Sequence, residues 1–224
     1  MQTGQFGNYN GGRDLLIKLI PTIFMVVLAI FMSIQKAHQL NITDASDQVR
    51  QDIVEAFNEE VKEYATYITY QKVAEEEGYP EAARFFGAMA ESDNIQTTAL
   101  YTILLKADPE YPYPDSIDID EVGTTEENLK KAREHEYYMS REFYPTISSE
   151  AAQDGIADVY NGMLRCFKAD TYQEMIFDET GDLTSSAISV GNYYVCTNCG
   201  TITVKAPVLR CKSCSVFKWK LEKF

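Results

Sequence analysis

Two pairs of cysteines near the C-terminus have the spacing of a metal site. Two residues separate the members of each pair and eleven residues separate the pairs, which are Cys196, Cys199, Cys211 and Cys214. Two such knuckles can converge on one ion, and four thiolates suit zinc or a single iron. Paired short spacings favour a metal over two disulfides, the alternative for a module outside the cytoplasm. Iron would make the module an electron carrier and zinc would make it a structural clip, and the spacing leaves that choice open.

A second set of candidate ligands comes from a weak internal repeat. The segments "ESDNIQ" at 91–96 and "KADTYQ" at 168–173 both contain Asp-x-x-Gln. Residues three apart share one face of a helix, so each Asp and its Gln can point at the same ion. The repeat is therefore either chance or the remains of a repeated metal-binding motif made of Asp93 with Gln96 and Asp170 with Gln173.

The elements that would position these residues are helices. Apolar residues at three- and four-residue steps predict helices over 47–77 and 80–106, and a capping box at Thr124 predicts a third over 125–152, kinked at Pro145. A fourth helix is predicted to end near Phe177, and a long proline-containing loop, 107–123, joins the two hairpins. The predicted fold is mainly α: a ferritin-like four-helix bundle followed by a small β module.

The N-terminal region predicts a membrane anchor. Leu15 to Ile34 is apolar over about the ~20 residues that cross a bilayer, with one charge, Lys18. A cleaved signal peptide is the competing interpretation, but no clear cleavage site follows. The predicted order is a tail at 1–14, a single-pass anchor at 15–36, the bundle at 44–178, a linker at 179–192 and the metal module at 193–224. We expect the bulk of the chain on the non-cytoplasmic side. The net charge of −14 argues against nucleic acid as a partner.

From about Gln48 onward the sequence resembles the rubrerythrin family. The likeness is carried by the first hairpin with its "EEGY" turn, by "TTEENLKKAREHEYYMSREFYP" and by "YYVCTNCG" and "CKSC" in a rubredoxin-like tail. An N-terminal anchor is not part of the usual family pattern. The resemblance implies a di-iron or other dimetal centre in the bundle, in addition to the four-cysteine ion.

The resemblance assigns roles to individual positions in the bundle. It places Glu60 and Glu136 as ligands and catalytic residues, with Tyr67 beside them, and it places Met139 where a further ligand Glu is expected. The remaining expected Glu and His ligands are replaced by Asp93, Gln96, Asp170 and Gln173. The internal repeat superposes Glu63 on Met139, which predicts that the fifth carboxylate has moved to the first helix.

Several other residues carry lesser expectations. Tyr64, Tyr137 and Tyr138 are expected to line the bundle or to pack in its core. His38 and His135, the two histidines of the chain, are expected at the surface. Cys166 is expected to be a buried apolar residue.

Two functions follow from these observations. One is a membrane-anchored oxidoreductase, in which electrons pass from a four-cysteine iron to a dimetal site that reduces hydrogen peroxide. The other is a non-catalytic electron-transfer or structural subunit of a membrane complex, with a metal-free bundle. Both imply an electron-donor protein or a membrane partner, and the family likeness implies a homodimer. Iron storage is disfavoured because an anchored chain with a thiolate tail does not suggest a storage cage.

Overall fold

A computed structural model describes residues 42–180, 192–205, 209–217 and 221–224. Five α-helices follow a short 3-10 turn at Ile42–Asp44: α1 Asp47–Glu77, α2 Pro80–Ala107, α3 Thr125–Tyr138, α4 Tyr144–Gln153 and α5 Ala157–Thr180. Three short strands follow: β1 Tyr194–Cys196, β2 Ile202–Thr203 and β3 Leu221–Lys223. They form an antiparallel sheet in the order β2-β1-β3. The structure therefore has the mainly helical bundle and small strand module that the sequence predicts.

Local sequence signals set the ends of the helices. Ser46 caps α1 by accepting a hydrogen bond from the Val49 amide at 3.3 Å, and Gly78 ends it in the left-handed region at φ 82°. Thr124 and Glu127 form the predicted capping box of α3. Such caps satisfy amide and carbonyl groups that the helix leaves unpaired, so the hairpin of α1 and α2 turns where the sequence indicates.

The third predicted helix is not continuous. A π-helical segment, Met139–Phe143, separates α3 from α4, and Pro145 lies in the first turn of α4. The backbone stays right-handed helical through this segment, and the widened turn lies just before the proline, which has no amide to donate to the preceding turn. The break therefore precedes the proline, and it consists of one widened turn rather than a proline kink in the helix interior.

Buried apolar residues form two clusters with a polar layer between them. On α1 the first cluster ends at Val61 and the second begins at Tyr67. On α2 the second cluster ends at Ala90 and the first resumes at Leu100. Glu63, Asp93 and Gln96 fall in these intervals and Glu60 directly precedes the first, so the two apolar clusters enclose a buried polar layer at the middle of the bundle.

The strand module packs against the bundle through aromatic side chains. The Tyr193 ring stacks on Phe85 of α2 with centroids 5.2 Å apart, and Phe85 meets Phe177 of α5 edge-on at 4.9 Å. Val195 and Ile202 belong to the same apolar cluster as these rings. The module is thus fixed to α2 and α5 by a shared core.

The predicted anchor at 15–36 and the tail at 1–14 lie outside the described residues. Across the residues that the structure describes, none of the helices combines the length and the apolar character needed to cross a bilayer.

Candidate metal centres

The four cysteines of the strand module meet at one point. The Sγ atoms of Cys196 and Cys214 are 3.6 Å apart, and those of Cys199 and Cys211 are 3.7 Å apart. A tetrahedron with metal–sulfur bonds of about 2.3 Å has edges of about 3.8 Å, whereas a disulfide would need about 2.05 Å. The four thiols are not paired as disulfides, and their spacing fits a single ion.

The two knuckles have the same backbone geometry. The amide of Gly200 donates to the Cys196 carbonyl at 2.8 Å, and the amide of Ser215 donates to the Cys211 carbonyl at 3.0 Å. Both residues are left-handed, with φ of 78° and 63°. Hydrogen bonds from Cys196 and Cys199 lower the pKa of the Cys211 thiol, whereas hydrogen bonding with the neighbouring thiols raises the pKa of Cys196.

The polar layer of the bundle holds all five predicted carboxylates. They are buried and each makes one close polar contact, and they are Glu60, Glu63, Asp93, Glu136 and Asp170. Within the described part of the chain, the four cysteines are the one group of three or more Cys, His, Asp or Glu ligands whose ligand atoms all lie within 4.8 Å of one another. The carboxylates are therefore gathered in one layer but are more widely spaced than the thiols.

The two Asp-x-x-Gln pairs are linked crosswise. The Gln96 amide donates to Asp170 Oδ1 at 3.2 Å, and the Gln173 amide donates to Asp93 Oδ1 at 3.4 Å. Both amides also donate to the Ser92 hydroxyl oxygen, at 3.3 and 3.2 Å. Each glutamine therefore holds the aspartate of the other repeat, and Ser92 joins the two halves.

Two tyrosines hold the glutamates in the same crosswise manner. The Tyr67 hydroxyl of α1 donates to Glu136 Oε1 of α3 at 2.8 Å, and the Tyr144 hydroxyl of α4 donates to Glu60 Oε1 of α1. Tyr67 follows Glu60 by seven residues, whereas Tyr144 follows Glu136 by eight. The π segment lies inside the longer interval, and a π bulge accommodates one extra residue. The π segment therefore directs the Tyr144 side chain into the site, at the position equivalent to that of Tyr67.

Burial dominates the electrostatics of this layer. Desolvation raises the pKa of four of the acids well above the ordinary values, and repulsion from neighbouring carboxylates adds to the shift. The four are Glu60, Asp93, Glu136 and Asp170. Desolvation also raises the pKa of the Tyr67 and Tyr144 hydroxyls, which therefore remain proton donors. Such a cluster is stable only if protons or cations neutralise it.

Unsatisfied oxygens indicate what the layer can accept. Glu60 Oε2, Asp93 Oδ2 and Asp170 Oδ2 are buried without a hydrogen-bond partner, as are the amide oxygens of Gln96 and Gln173. Buried polar atoms are usually satisfied, and oxygen-only sets suit hard cations. The residues present therefore fit one or two hard cations, with carboxylates as the charged ligands.

His135, which the sequence led us to expect at the surface, is half-buried at the edge of the site, with 26% of its side chain exposed. Its Nε2 contacts Oε1 of the buried Glu63 in an ion pair. Burial opposes the charged form of His135, but the Glu63 carboxylate outweighs it and raises the histidine pKa to about 9. The imidazole therefore supplies a positive charge to the fifth carboxylate. His38 lies outside the described residues.

The three tyrosines expected near the bundle site differ in how far they are exposed. Tyr137 and Tyr138 are 50% and 47% exposed and face away from the carboxylates, so the expectation that they line the site is wrong. Tyr64 is half-buried and packs against the second apolar cluster.

Met139, at the position of the missing ligand, is fully buried and apolar. Cys166 is also fully buried, as predicted, and burial raises its thiol pKa well above the ordinary value.

The two centres touch. A Cβ atom at Gly200 would lie 2.9 Å from Ser92 Oγ and 3.0 Å from the Ser92 carbonyl oxygen. Ser92 is the residue that bridges Gln96 and Gln173. The first cysteine knuckle therefore rests directly on the polar layer, and only a glycine fits the contact.

The rubrerythrin family model matches residues 52–169 of the chain. The chain belongs to the rubrerythrin family. The putative rubrerythrin of Methanocaldococcus jannaschii is 29% identical to it over 176 residues, which cover 70% of this chain and 85% of that protein. The nigerythrin of Nitratidesulfovibrio vulgaris is 24% identical over 152 residues, or 67% of this chain and 74% of the relative.

Solved structures agree with this assignment at the level of the fold. Nigerythrin in a fully reduced, all-ferrous state superposes with a TM-score of 0.73 and 19% identity, covering 83% of this chain and 97% of that one. At that identity the likeness shows the shared fold alone. This rubrerythrin-family chain thus combines a ferritin-like bundle with a C-terminal four-cysteine cluster.

Sequence reasoning missed three contributors to the site. Ser92 is the residue just before Asp93, and nothing in its type distinguishes it from a surface serine. For His135, helical geometry predicts the outer face, because its neighbour Glu136 points inward and adjacent residues differ by about 100° around a helix. Tyr144 could have been found, because it stands one residue beyond the position that repeats Tyr67.

Proposed function

We propose that this protein is a redox enzyme that passes electrons from the four-cysteine centre to the carboxylate layer, where hydrogen peroxide is reduced. One peroxide takes two electrons and two protons and gives two waters. When bound, a thiolate-held iron supplies one-electron transfer and a carboxylate-held pair of metal ions supplies the site of peroxide reduction. The residues that would hold the metals are the four cysteines and the five buried acids.

The observation that carries this proposal is the contact between the two centres. Cys199 and Gly200 are adjacent in the chain, and Gly200 lies against Ser92. Ser92 in turn accepts hydrogen bonds from Gln96 and Gln173, which hold Asp170 and Asp93. Covalent bonds, one packing contact between Gly200 and Ser92, and hydrogen bonds therefore connect the thiols to the acids within one chain.

The protein groups around the acids have defined tasks. Tyr144 fixes one oxygen of Glu60, so the second, unpartnered oxygen is left to face a cation. Gln96 and Gln173 fix one oxygen of each aspartate in the same way. The hydroxyl of Tyr67 stays protonated and keeps Glu136 in place. The apolar clusters on both sides keep bulk water away from the layer.

Metal analysis and optical spectroscopy of the purified protein test the proposal. We expect iron–thiolate absorption and two further metal ions per chain, and we expect Glu60→Ala to lose only the latter. The matched control is Glu55→Ala, since Glu55 is exposed on the same helix. After anaerobic reduction, hydrogen peroxide should restore the iron–thiolate absorption in the wild type and in the control but not in Glu60→Ala. One metal ion per chain, unchanged by Glu60→Ala, would overturn the proposal.

A second function is favoured by the hydrogen bonds of the layer itself. Each of the five acids already has one protein partner, and the carboxylate oxygens do not converge as closely as the thiols do. A protonated, metal-free layer would then be a structural core, and the four-cysteine centre alone would carry electrons. The same metal analysis separates the two functions.

The location and partners of the protein belong to the proposal as well. The apolar segment at 15–34 supports a membrane anchor with the bulk of the chain outside the cytoplasm. Family likeness supports a homodimer, and the four-cysteine centre requires an electron-donor protein. Fractionation of cells with and without residues 1–36 tests the anchor, and sedimentation of the detergent-solubilised protein tests the dimer.

A further inference from the structure

A small cavity lies where the carboxylate layer comes nearest to the surface. Its volume is about 20 Å³ and its inner wall is made by Glu63, Thr66, Tyr67, Ala132 and His135. A single water needs roughly 10–15 Å³ of such space, so the cavity holds one molecule of that size. Two of its walls, Glu63 and Tyr67, belong to the carboxylate layer itself. We call this cavity the Thr66 chamber.

The chamber contains a polar atom that the protein does not satisfy. Thr66 is 5% exposed, and its hydroxyl oxygen has no hydrogen-bond partner. Threonines on helices usually return their hydroxyl to the preceding turn, as Thr69 does here by donating to the Ala65 carbonyl at 2.9 Å. A buried hydroxyl that forgoes this bond indicates a partner that is not part of the chain.

The outer side of the chamber is covered by charged side chains. Lys62 pairs with Asp120 at 2.8 Å, and Lys131 donates to the Glu121 carbonyl at 2.8 Å. Both contacts tie the segment between α2 and α3 across the opening. Lys62 and Asp120 are partly exposed, so their ion pair can separate without disturbing the core. The fixed walls are Tyr67, Tyr70 and Ala132.

We propose that the Thr66 chamber binds one small neutral hydroxylic molecule, water or hydrogen peroxide, and is the route by which it reaches the carboxylate layer. This inference rests on the proposed function only for peroxide, and not for water. The Thr66 hydroxyl, the Glu63 carboxylate and His135 are the groups that can hydrogen-bond the guest. Because a volume of about 20 Å³ exceeds the roughly 10–15 Å³ that one water needs but is too small for an alkyl group in addition, alkyl hydroperoxides are excluded. Thr66 and Ala132 are thus the residues that determine access.

The first test is crystallographic and needs no activity. A high-resolution structure of the wild type should show an ordered water within hydrogen-bond distance of Thr66 Oγ1. The water should persist in Thr66→Ser, which keeps the hydroxyl, and disappear in Thr66→Val, which keeps the volume. A dry chamber in the wild type, or an unchanged water in Thr66→Val, would overturn the proposal.

The second test measures access in solution in the metal-free protein. The infrared C=O band of protonated buried carboxyls shifts when deuterium replaces hydrogen. The rate of this shift after mixing into heavy water therefore reports the access of water to the layer. We expect Ala132→Leu, which fills the chamber, to slow this shift at least tenfold, and Ala132→Gly, which enlarges it, to be as fast as the wild type or faster. Equal rates in all three proteins would refute the route. If Ala132→Leu does not fold, the Thr66 pair of variants still decides the question.

Failure of the proposed function is recognised separately. The reduced wild type should be reoxidised by hydrogen peroxide at least tenfold faster than by tert-butyl hydroperoxide, and Ala132→Gly should narrow that ratio. A protein that shows the ordered water and the slowed exchange but does not react with peroxide supports the chamber as a water route and overturns only the peroxide reaction. Equal rates with both peroxides would overturn the chamber as the peroxide route.

Discussion

Substitution of Gly200 by alanine tests whether the cysteine module is seated on the carboxylate layer. The added Cβ would lie 2.9 Å from Ser92 Oγ and 3.0 Å from the Ser92 carbonyl oxygen, about half an ångström inside the 3.4 Å at which ordinary contact begins. The carbonyl belongs to the backbone of α2 and cannot rotate away. We therefore expect the knuckle to be pushed off the helix.

The magnitude has two parts. A non-glycine residue in the left-handed region costs about 1 kcal/mol, and overpacking a closed contact costs about 1–3 kcal/mol. Together they lower the stability of the seated module by about 2–4 kcal/mol. Only the overpacking part, about 1–3 kcal/mol, is relieved by detachment, which corresponds to a roughly 5- to 150-fold rise in the detached population. Backbone amide exchange of β1, and of α2 around Ser92, should accelerate by that factor.

The second knuckle supplies the matched control. Ser215 occupies the equivalent left-handed position at φ 63° and already carries a side chain. Ser215→Ala should be close to neutral, and Ser215→Gly should stabilise the module by about 1 kcal/mol because it relieves the backbone strain alone. The part of the Gly200→Ala cost that exceeds the strain measured by Ser215→Gly therefore isolates the contact with the bundle.

A double-mutant cycle with Ser92→Ala completes the test. The alanine removes the nearer of the two clashing atoms, so it should recover part of the Gly200→Ala penalty, with a coupling free energy of about 1 kcal/mol. The reasoning fails if Gly200→Ala costs no more than the left-handed strain and shows no coupling to Ser92→Ala. The knuckle would then not rest on the layer.

Two further predictions concern charge. In the metal-free protein the free energy of unfolding should fall as pH rises from about 4.5, because Glu60, Asp93, Glu136 and Asp170 have raised pKa values and the folded state binds more protons than the unfolded state. His135 acts in the same direction between pH 6.5 and about 9. Urea titrations across this pH range measure how the free energy of unfolding changes with pH. A rise in that free energy with pH would contradict the raised pKa values of the four acids. Arg141→Ala should lower the free energy of unfolding more than Arg133→Ala in the same titration. The first change leaves the buried Glu174 carboxylate without its cation, whereas the second breaks an exposed pair with Asp178.

The fold could be predicted from the sequence because its signals are local. Helical periodicity and the caps at Ser46, Gly78 and Thr124 place α1, α2 and the start of α3 to within a residue or two. The four-cysteine spacing was enough to predict a single tight site, since each knuckle closes within five residues. These features need no knowledge of how distant segments pack.

Contacts across the bundle could not be read in this way. The π segment replaces a continuous third helix because the turn must gain one residue for Tyr144 to reach Glu60, and nothing near Met139 signals that need. His135 was placed by helical geometry on the outer face, but Glu63 lies at the edge of the layer and reaches it. Both errors come from tertiary pairing that overrides local periodicity.

The carboxylate layer has a near two-fold pattern, and its break at Glu63 distinguishes the two sides of the layer. Gln96 and Gln173, and likewise Tyr67 and Tyr144, bond crosswise in matching ways. The match ends at Glu63, whose counterpart is the apolar Met139. The side with Glu63 carries His135 and the Thr66 chamber, whereas the other side is closed by Met139, Phe143 and Cys166 in the apolar core. A fifth carboxylate on α1 therefore places Glu63, its partner His135 and the proposed chamber together on one side of the layer.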